Sequence, residues 1–316
     1  MLFLATLIGA AVACDGEPAR RTTSATSNTK RYPATGKTKQ ITLTISAFDW
    51  EVAPGAIYEA IGYNKQVPGP VLEVDAGDRI ELTLINETDQ PHSAHTHVVE
   101  FDEDSDGVPD EHTGGDAGRL HGVAPAHGKT TVTWLASYAG TFPYHDHAAE
   151  ETDGMTAGLV GALVVHPPDR PRPDRMNTVV LMDMDLGRYK GGPPGVGLPD
   201  GGGNDAEYMG GHGYMHTMNG RAYPEWIPPF RAKVGERVRW GVVSIGREFH
   251  TFHVHGHRWV GADGVMTDSI NLGPGTYSTF EWIEDNPGEW LFHCHVPDHM
   301  EGGMMGHYSV EGAAGH

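Results

Sequence analysis

Apolar and polar residues alternate along most of the chain beyond residue 40. The stretch from Ile41 to Ile45 alternates without a break, and similar runs at 71–74 and 79–85 flank the turn residues 75–78. Because successive side chains of a strand point to opposite faces, a period of two predicts β-strands with one buried face. No stretch keeps a helical period over several turns. The pattern therefore predicts an all-β chain.

The second half of the chain repeats the pattern of the first half. Three pairs of segments correspond: 71–80 with 230–238, 92–97 with 250–255, and 139–145 with 287–293. The 316 residues are enough for two domains that each bury their own core. We therefore predict a first domain over residues 40–167 and a second over 175–312, with the Pro-rich segment 167–173 as the linker.

The first 39 residues predict no folded domain. Residues 1–13 form an apolar run too short to cross a bilayer, so we interpret residues 1–14 as a signal peptide. Its end at Cys14 resembles the lipidation signal of bacterial lipoproteins. Residues 15–39 are rich in Ser, Thr, Pro, Arg and Lys and predict a flexible tether. We expect an extracytoplasmic protein, periplasmic or at the cell surface, lipid-anchored at Cys14; the alternative is cleavage and secretion.

The net charge and the number of cysteines limit which binding partners and which disulfides we expect. The formal net charge is −20, from 42 acidic and 22 basic residues, so nucleic acid and anionic membrane surfaces are poor partners. We expect contact with a membrane only through a lipid on Cys14. The other cysteine is Cys294, and we expect no disulfide between the two because Cys14 lies in the leader.

Residues suited to metal binding are concentrated around Cys294. At the end of a strand, its neighbours His293 and His295 point to one face and Cys294 to the other. Cys294 then shares its side with His299 and Met304, which the following turn supplies. A thiolate, an imidazole and a thioether are three of the four ligands of a blue-copper site. A structural zinc site or a buried free thiol is the alternative.

The upstream histidines bear on these alternatives. His250 lies three residues before His253 and can turn to the other face, where it supplies the second histidine of the Cys294 site. Four His-x-His pairs each place two imidazoles on one strand face. The pairs are His95 and His97, His145 and His147, His253 and His255, and His293 and His295. Eight paired histidines beside a complete Cys-His-His-Met set favour several copper ions over one zinc ion.

These motifs resemble those of the multicopper oxidases, and the two-domain length resembles the small laccases. The resemblance covers nearly all of residues 40–312. It implies two cupredoxin-like Greek-key β-sandwich domains, a type 1 (blue) copper, and a three-copper cluster that reduces dioxygen to water. In the small laccases each cluster lies between neighbouring chains of a homotrimer, so we expect a homotrimer here.

The resemblance also assigns the ligands of four coppers per chain. It places type 1 copper at His250, Cys294, His299 and Met304, type 2 copper at His95 and His253, and the two type 3 coppers at His97, His145, His147, His255, His293 and His295. The first domain departs from this pattern. Asp146 occupies its cysteine position, Glu151 corresponds to His299, and His92 corresponds to His250. We therefore expect type 1 copper in the second domain only.

The resemblance implies a laccase-like reaction with phenols and aromatic amines. A small aromatic reductant would give electrons at the edge of His299, and these would pass through Cys294 to His293 and His295. Four electrons reduce one dioxygen to two waters.

That reduction also consumes protons, so a carboxylate near the cluster would act as the relay. We select Asp106 and Asp268 as the candidates. A solvated loop for Asp106 and a turn aspartate for Asp268 are the alternative interpretations.

Three other functions remain open at this point. A cuprous oxidase would take Cu(I) as substrate and serve copper tolerance. A copper nitrite reductase keeps its blue copper in the first domain, which Asp146 argues against. A non-enzymatic electron carrier has no use for eight additional histidines. The only support for the cuprous oxidase is a group of methionines and histidines that could bind Cu(I): Met209, His212, Met215, His216, Met218, Met300 and Met305.

One acidic loop resembles the first half of a calcium-binding loop. Its candidate ligands are Asp102, Asp104, Asp106 and Asp110, with Gly107 at the sixth position. The twelfth position holds Thr113 in place of the usual glutamate, and no helix is predicted on either side. The alternative is a solvated acidic loop.

Overall fold

The computed structural model describes residues 30–109, 121–148, 153–191 and 213–312. The predicted leader with Cys14, the loop residue Asp110, and Glu151 lie outside these ranges. In the part of the chain that is described, no helix is long and apolar enough to cross a membrane.

The described residues of the first domain form eight strands and one short helix. They are β1 (Thr38–Ala53), β2 (Ala56–Tyr63), β3 (Leu72–Asp75), β4 (Arg79–Asn86), β5 (His95–Thr96), β6 (Lys129–Leu135), β7 (Gly140–His145), α1 (Asp153–Ala157) and β8 (Val160–His166), with a 3-10 turn at Glu103–Ser105. The predicted alternation is visible in β1, where Leu43 and Ile45 are buried and Thr42 is exposed.

Beyond residue 170, the ranges that the structure describes add twelve strands. They are β9 (Arg175–Asp185), β10 (Tyr189–Gly191), β11 (Tyr214–Met218), β12 (Phe230–Lys233), β13 (Arg237–Ile245), β14 (His250–Val254), β15 (Trp259–Val260), β16 (Met266–Thr267), β17 (Ser269–Leu272), β18 (Tyr277–Ile283), β19 (Gly288–Cys294) and β20 (Met305–Glu311), with a 3-10 turn at Leu186–Arg188 and a second helix, α2 (Pro297–Glu301).

Each domain is a sandwich of two sheets. In the first domain the order β10-β2-β1-β4-β6 faces the order β3-β8-β7-β5, and in the second β11-β9-β13-β18 faces β12-β20-β19-β14-β17. Neighbours distant in sequence pair in parallel, as β1 does with β4 and β9 with β13. These crossovers give the β-sandwich fold that the sequence predicted, and the strands that carry the paired histidines lie side by side.

Apolar side chains from both sheets fill each sandwich. Leu43 and Leu82 meet Phe142 and Leu163 in the first core. The second core is more aromatic and contains Trp240, Phe252, Phe280 and Phe292, together with Cys294 and Met304. The predicted type 1 ligands therefore lie at one end of a rigid, densely packed core.

A third apolar cluster joins the two domains. It brings Val52 and Tyr58 of the first domain together with Val180, Met182 and Val243 of the second. Strand β10 also crosses over and pairs with β2 of the first domain, Tyr189 lying opposite Tyr58. The indole of Trp50 donates to the carbonyl of Gly220 at 2.6 Å.

The described end of the predicted tether packs on the first domain. Tyr32 is buried in the first core, and its hydroxyl donates to Asp169 at 2.8 Å. Arg31 makes a two-pronged contact with Glu100 at 2.6 and 2.8 Å. Residues 30–37 thus pack against the first domain, ahead of the start predicted at residue 40. A single buried tyrosine outside any alternating run gives no periodic signal.

Candidate metal centres

The four residues predicted for type 1 copper converge at one end of the second sandwich. His250 begins β14, Cys294 ends β19, and α2 carries His299. Met304 follows α2, is fully buried, and accepts the amide of Cys294 on its carbonyl at 3.0 Å. The pairing of Phe252 with Cys294 fixes the register of β14 against β19.

The donor atoms of this group face one another. The Cys294 Sγ lies 3.8 Å from His250 Nδ1 and 3.7 Å from His299 Nδ1, and these two nitrogens are 3.2 Å apart. All three residues are buried, Cys294 completely. Lone pairs of two neutral imidazoles repel at this distance, whereas a shared cation attracts both. A thiolate, two imidazole nitrogens and a buried thioether fit blue copper.

A second buried network lies against this group. His216 stacks on His299 with ring centroids 3.7 Å apart and ring planes at 24°. The Nδ1 of His216 donates to Asp183 Oδ1 at 2.7 Å, and the Nε2 of His250 lies 3.5 Å from the same oxygen. Asp183 and His216 are both fully or nearly fully buried.

The paired histidines of the first domain form one cluster. The Nε2 atoms of His97 and His145 are 3.4 Å apart, and their rings are 5.5 Å from each other. His95 lies 5.4 Å from both His145 and His147, measured between ring centroids. The strand pairing of His95 with His145 explains this closeness.

The second domain builds a matching cluster. The Nε2 atoms of His255 and His293 are 3.0 Å apart. The ring of His253 lies 5.3 Å from His293 and 5.7 Å from His295. Strand pairing places His253 opposite His293, as it places His95 opposite His145 in the first domain.

Backbone carbonyls select which ring nitrogen of these histidines is free. The Nδ1 atoms of four of them donate to carbonyl oxygens at 2.8–3.0 Å, so the Nε2 atoms carry lone pairs. The pairs are His95 with Asp106, His145 with Asp146, His253 with Asp268, and His293 with Cys294. Such bonds hold ring orientation and tautomer for a metal.

Burial favours the neutral form of four clustered histidines: His97, His145, His255 and His293. It lowers the pKa of His145 to about 3 and that of His97 to about 4, and neighbouring histidines add repulsion. Burial also lowers the pKa values of His255 and His293. Neutral imidazole is the form that binds metal ions, so the clusters suit copper at ordinary pH.

The two candidate relay carboxylates lie beside equivalent histidines. Asp106 Oδ1 is 3.2 Å from His95 Nδ1, and Asp268 Oδ1 is 3.7 Å from His253 Nδ1. His95 and His253 are the residues predicted for type 2 copper. The structure thus brings both aspartates to the edge of a histidine cluster.

The two clusters do not meet within one chain. The ring centroids of His97 and Tyr277 are 6.4 Å apart, and His97 forms a hydrogen bond with the backbone of Gly275. Both of these partners belong to the second domain. In the described residues no close ring contact joins the first-domain histidines to those of the second, and the two sets form separate metal-binding groups. Each chain therefore carries two separate histidine clusters.

At the place that corresponds to the Cys294 group, the first domain has a buried contact between His92 and Asp146. His92 Nδ1 lies 2.6 Å from Asp146 Oδ2, and both side chains are buried. The other oxygen of Asp146 accepts the amides of Ser93 at 2.8 Å and Ala148 at 3.1 Å. Asp146 occupies the cysteine position, as predicted.

Two weaker predictions receive no support from the described residues. The carboxylates of Asp102, Asp104 and Asp106 do not form one of the metal-binding groups there, and Asp110 lies outside. Met215 and Met218 are buried in the apolar cores, so they are core methionines and not surface ligands for Cu(I). Met209 and His212 lie outside the described residues.

The sequence analysis did not identify Asp183, and it considered His216 only as one of several residues that could bind Cu(I). The sequence did hold a signal, because Asp183 is a lone charge that interrupts the apolar run Val179 to Met184. A charge inside a buried strand needs a partner. The sequence did not reveal that the partner is His216, on the neighbouring strand β11.

Comparison with known proteins agrees with this geometry. Two sequence profiles described as multicopper oxidase match residues 44–170 and 202–313. Together they include all predicted copper ligands. The chain belongs to the multicopper oxidase family, which implies copper, and the His-Cys-His group and the histidine clusters described above are the candidate metal sites.

Several curated relatives are similar over most of this chain. A probable nitrite reductase-hydroxylamine oxidoreductase fusion protein of Kuenenia stuttgartiensis is 30% identical over 83% of the chain and 30% of its own length. Ferroxidase HEPHL1 of Mus musculus is 30% identical over 77% of the chain and 23% of its own length. The chain thus spans less than a third of the length of these relatives.

Solved structures share the whole architecture. The blue copper oxidase from Nitrosomonas europaea superposes with a TM-score of 0.68 at 26% identity, covering 87% of this chain and 86% of that one. The multicopper oxidase mgLAC superposes at 0.67 with 26% identity over 88% of each chain. A copper nitrite reductase from Nitrosomonas europaea, at 23% identity and a TM-score of 0.67, shares the fold over 88% of this chain and 96% of its own.

Proposed function

We propose that the protein is a laccase-like oxidase that couples the one-electron oxidation of phenols and aromatic amines to the reduction of dioxygen to water. The observation that carries the proposal is the completeness of the donor sets. One buried Cys-His-His-Met group lies in the second domain, and four histidines lie together in each domain, where they would supply one half-site of a cluster. A simple electron carrier would need the first group alone.

The proposed copper content is four ions per chain. His250, Cys294, His299 and Met304 would hold type 1 copper, His95 and His253 type 2 copper, and the six other paired histidines the type 3 pair. Copper in these positions would supply the one-electron acceptance and the dioxygen reduction that no side chain provides. Assignment of individual histidines within the cluster follows the family pattern.

The residues of the chain have separate tasks in this proposal. Carbonyls such as that of Asp268 hold the imidazoles with Nε2 free, and the aromatic core excludes water from Cys294. Asp106 and Asp268, next to His95 and His253, would hold and deliver protons at their carboxylate oxygens. Replacing either with asparagine should slow turnover about 10- to 100-fold while the type 1 colour stays.

In this proposal two copies of the chain complete each cluster. The separation of the two half-sites within one chain supports it, and in the small laccases a ring of three chains meets the same need. We therefore propose a homotrimer, with the first-domain half-site of one chain meeting the second-domain half-site of the next. Mass measurement of the native assembly tests this part independently of activity.

Oxygen uptake with a simple phenol tests the function. The copper-loaded protein should consume one dioxygen per four phenol electrons and release no hydrogen peroxide. His95→Ala should abolish uptake while leaving the type 1 colour, because His95 belongs to the cluster alone. Peroxide as the main product, or a blue protein with no oxygen uptake, would overturn the proposal.

A metal-ion oxidase is the second candidate. Two of the curated relatives are named ferroxidases, in mouse and human, which favours Fe(II) or Cu(I) as electron donor. The burial of Met215 and Met218 removes part of the support for a Cu(I) site. The same oxygen-uptake assay with Fe(II) and Cu(I) separates the candidates, since the preferred donor gives the higher kcat/KM.

Nitrite reduction is less well supported, although one curated relative carries that name in part. The blue copper of that family lies in the first domain, where this chain has Asp146. The eight paired histidines also exceed what a mononuclear catalytic copper needs.

A further inference from the structure

The type 1 residues are shielded on the side where a donor was expected. His299 is only 6% exposed and His250 only 1%. The ring of His216 lies flat against that of His299, at 3.7 Å between centroids, and is itself 4% exposed. His299 therefore presents little of its edge to solvent, and His216 covers its face.

His216 is fixed in this position from behind. Its Nδ1 donates to Asp183 Oδ1, and the other carboxylate oxygen accepts the amides of Arg247 at 2.7 Å and Glu248 at 2.8 Å. A Cβ on Gly246 would come within 2.4 Å of this oxygen, so the backbone wraps closely around the carboxylate. Asp183 is thus held by the β13–β14 connection and in turn holds His216.

Asp183 also connects the stack to the second type 1 histidine. Its Oδ1 lies 3.5 Å from the Nε2 of His250, on the ring edge opposite Cys294. A buried negative charge stabilises the more positive, oxidised state of a nearby metal. Exclusion of water by a stacked ring acts in the other direction, because a dry, apolar shell favours the less charged, reduced state.

We propose that His216 is a positioning residue that covers the type 1 site, and that Asp183 both anchors this cover and adjusts the reduction potential through its charge. The inference rests on the proposed type 1 copper. It implies that a donor contacts His216 before it can reach His299.

Two substitutions at one position separate the ring from its anchor. His216→Gln keeps an N–H donor for Asp183 and removes the ring, whereas His216→Phe keeps a stacking ring and removes the donor. Met215→Leu, on the same strand and volume-conserving, is the control. Asp183→Asn removes the charge and keeps an acceptor oxygen.

Three measurements on the copper-loaded, full-length protein test whether His216 covers the type 1 site and whether Asp183 adjusts its reduction potential. They are the thiolate-to-copper absorption with its electron paramagnetic resonance, the reduction potential, and the response of that absorption to added imidazole. His216→Gln should remain blue, show a lower potential, and change colour with imidazole. His216→Phe, Met215→Leu and the parent should not respond to imidazole. Asp183→Asn should raise the potential.

Several results would overturn the inference. His216→Gln with the potential and imidazole response of the parent would show that the ring covers nothing. If imidazole changes the absorption of His216→Phe but not that of His216→Gln, the hydrogen bond to Asp183 and not the stacked ring protects the type 1 site. If His216→Gln fails to fold, an unchanged potential in Asp183→Asn would exclude the electrostatic role. A parent protein without the blue absorption would instead reject the proposed function.

Discussion

The two domains use the same position of the fold in opposite ways. In the second domain Cys294 ends its strand facing His250, with Sγ and Nδ1 3.8 Å apart. In the first domain Asp146 stands in the corresponding place, and its Oδ2 is 2.6 Å from the Nδ1 of His92. One pair leaves room for a metal between its donors, and the other is closed by a direct hydrogen bond.

The difference shows what a copper position needs besides its ligands. Asp146 is satisfied by His92 and two backbone amides, and α1 packs tightly on it: a Cβ on Gly154 would lie 2.0 Å from Asp146 Oδ2. Cys294 and its two histidines instead face one another at 3.2–3.8 Å, which leaves room for a cation among their donor atoms. A buried group of donors that do not satisfy one another is stable only with a cation or a proton among them.

The largest effect should follow from removing the thiolate. Cys294→Ser deletes the ligand that defines blue copper, so the intense absorption and phenol oxidation should both be lost, while copper at the histidine clusters is retained. Metal analysis and absorption spectra measure this directly. Asp146→Asn is the matched variant in the first domain and should keep the colour. A colourless Asp146→Asn protein would contradict the division of roles between the domains.

A buried carboxylate distinguishes the second core from the first. Glu284 accepts from His257, Trp282 and Tyr308, at 2.9, 2.9 and 2.5 Å, whereas the first domain has the apolar Ala136 in the corresponding place. Glu284→Gln leaves His257 without its charged partner and should lower the free energy of unfolding by about 3–5 kcal/mol at neutral pH. Urea unfolding of the parent and of Glu284→Gln measures this difference in the free energy of unfolding.

The contribution of Glu284 to the free energy of unfolding should depend on pH. Burial opposes ionisation, but the hydrogen bonds from His257, Trp282 and Tyr308 lower the pKa of Glu284 to about 2, from 4.5. A depressed carboxyl pKa stabilises the fold above pH 4.5, and this contribution is lost as the pH falls toward 2. The stability difference between parent and Glu284→Gln should therefore shrink across this window. A constant difference would contradict the assignment.

The buried contact between Asp146 and His92 in the first domain should stabilise the fold less than Glu284 stabilises it. Asp146→Asn keeps an acceptor for the Ser93 amide but removes the charge beside His92, and we expect a loss of about 1–3 kcal/mol. The exposed pair of His127 and Asp89, at 2.7 Å, provides the control. Asp89→Asn should change the free energy of unfolding by less than about 1 kcal/mol. Equal effects would mean that burial does not set the strength of these pairs.

Sequence spacing was sufficient for residues that share a strand or its end. The period of two placed His293 and His295 opposite Cys294, and the alternation at Ile41 to Ile45 predicted strands with one buried face. The sandwich arrangement of those strands was implied by the family resemblance. The contacts of Asp183 were not predictable, because they depend on β9 lying between β11 and β13. The anchoring of Tyr32 likewise depends on Asp169, which is distant in sequence. Spacing describes one strand, whereas these contacts join several.

The smallest expected effect concerns the two histidines predicted for type 2 copper. His253 Nδ1 has a neighbour that His95 lacks: Ser269 Oγ lies 3.1 Å away, and the residue after Asp106 is Gly107. Ser269→Gly makes the second half-site resemble the first. Because His253 still donates to the carbonyl of Asp268, only one neutral hydrogen bond is lost, about 0.5–1.5 kcal/mol. Turnover with a phenol should fall less than about tenfold at unchanged copper content. A larger fall, or loss of copper, would show that the serine and not the carbonyl orients His253.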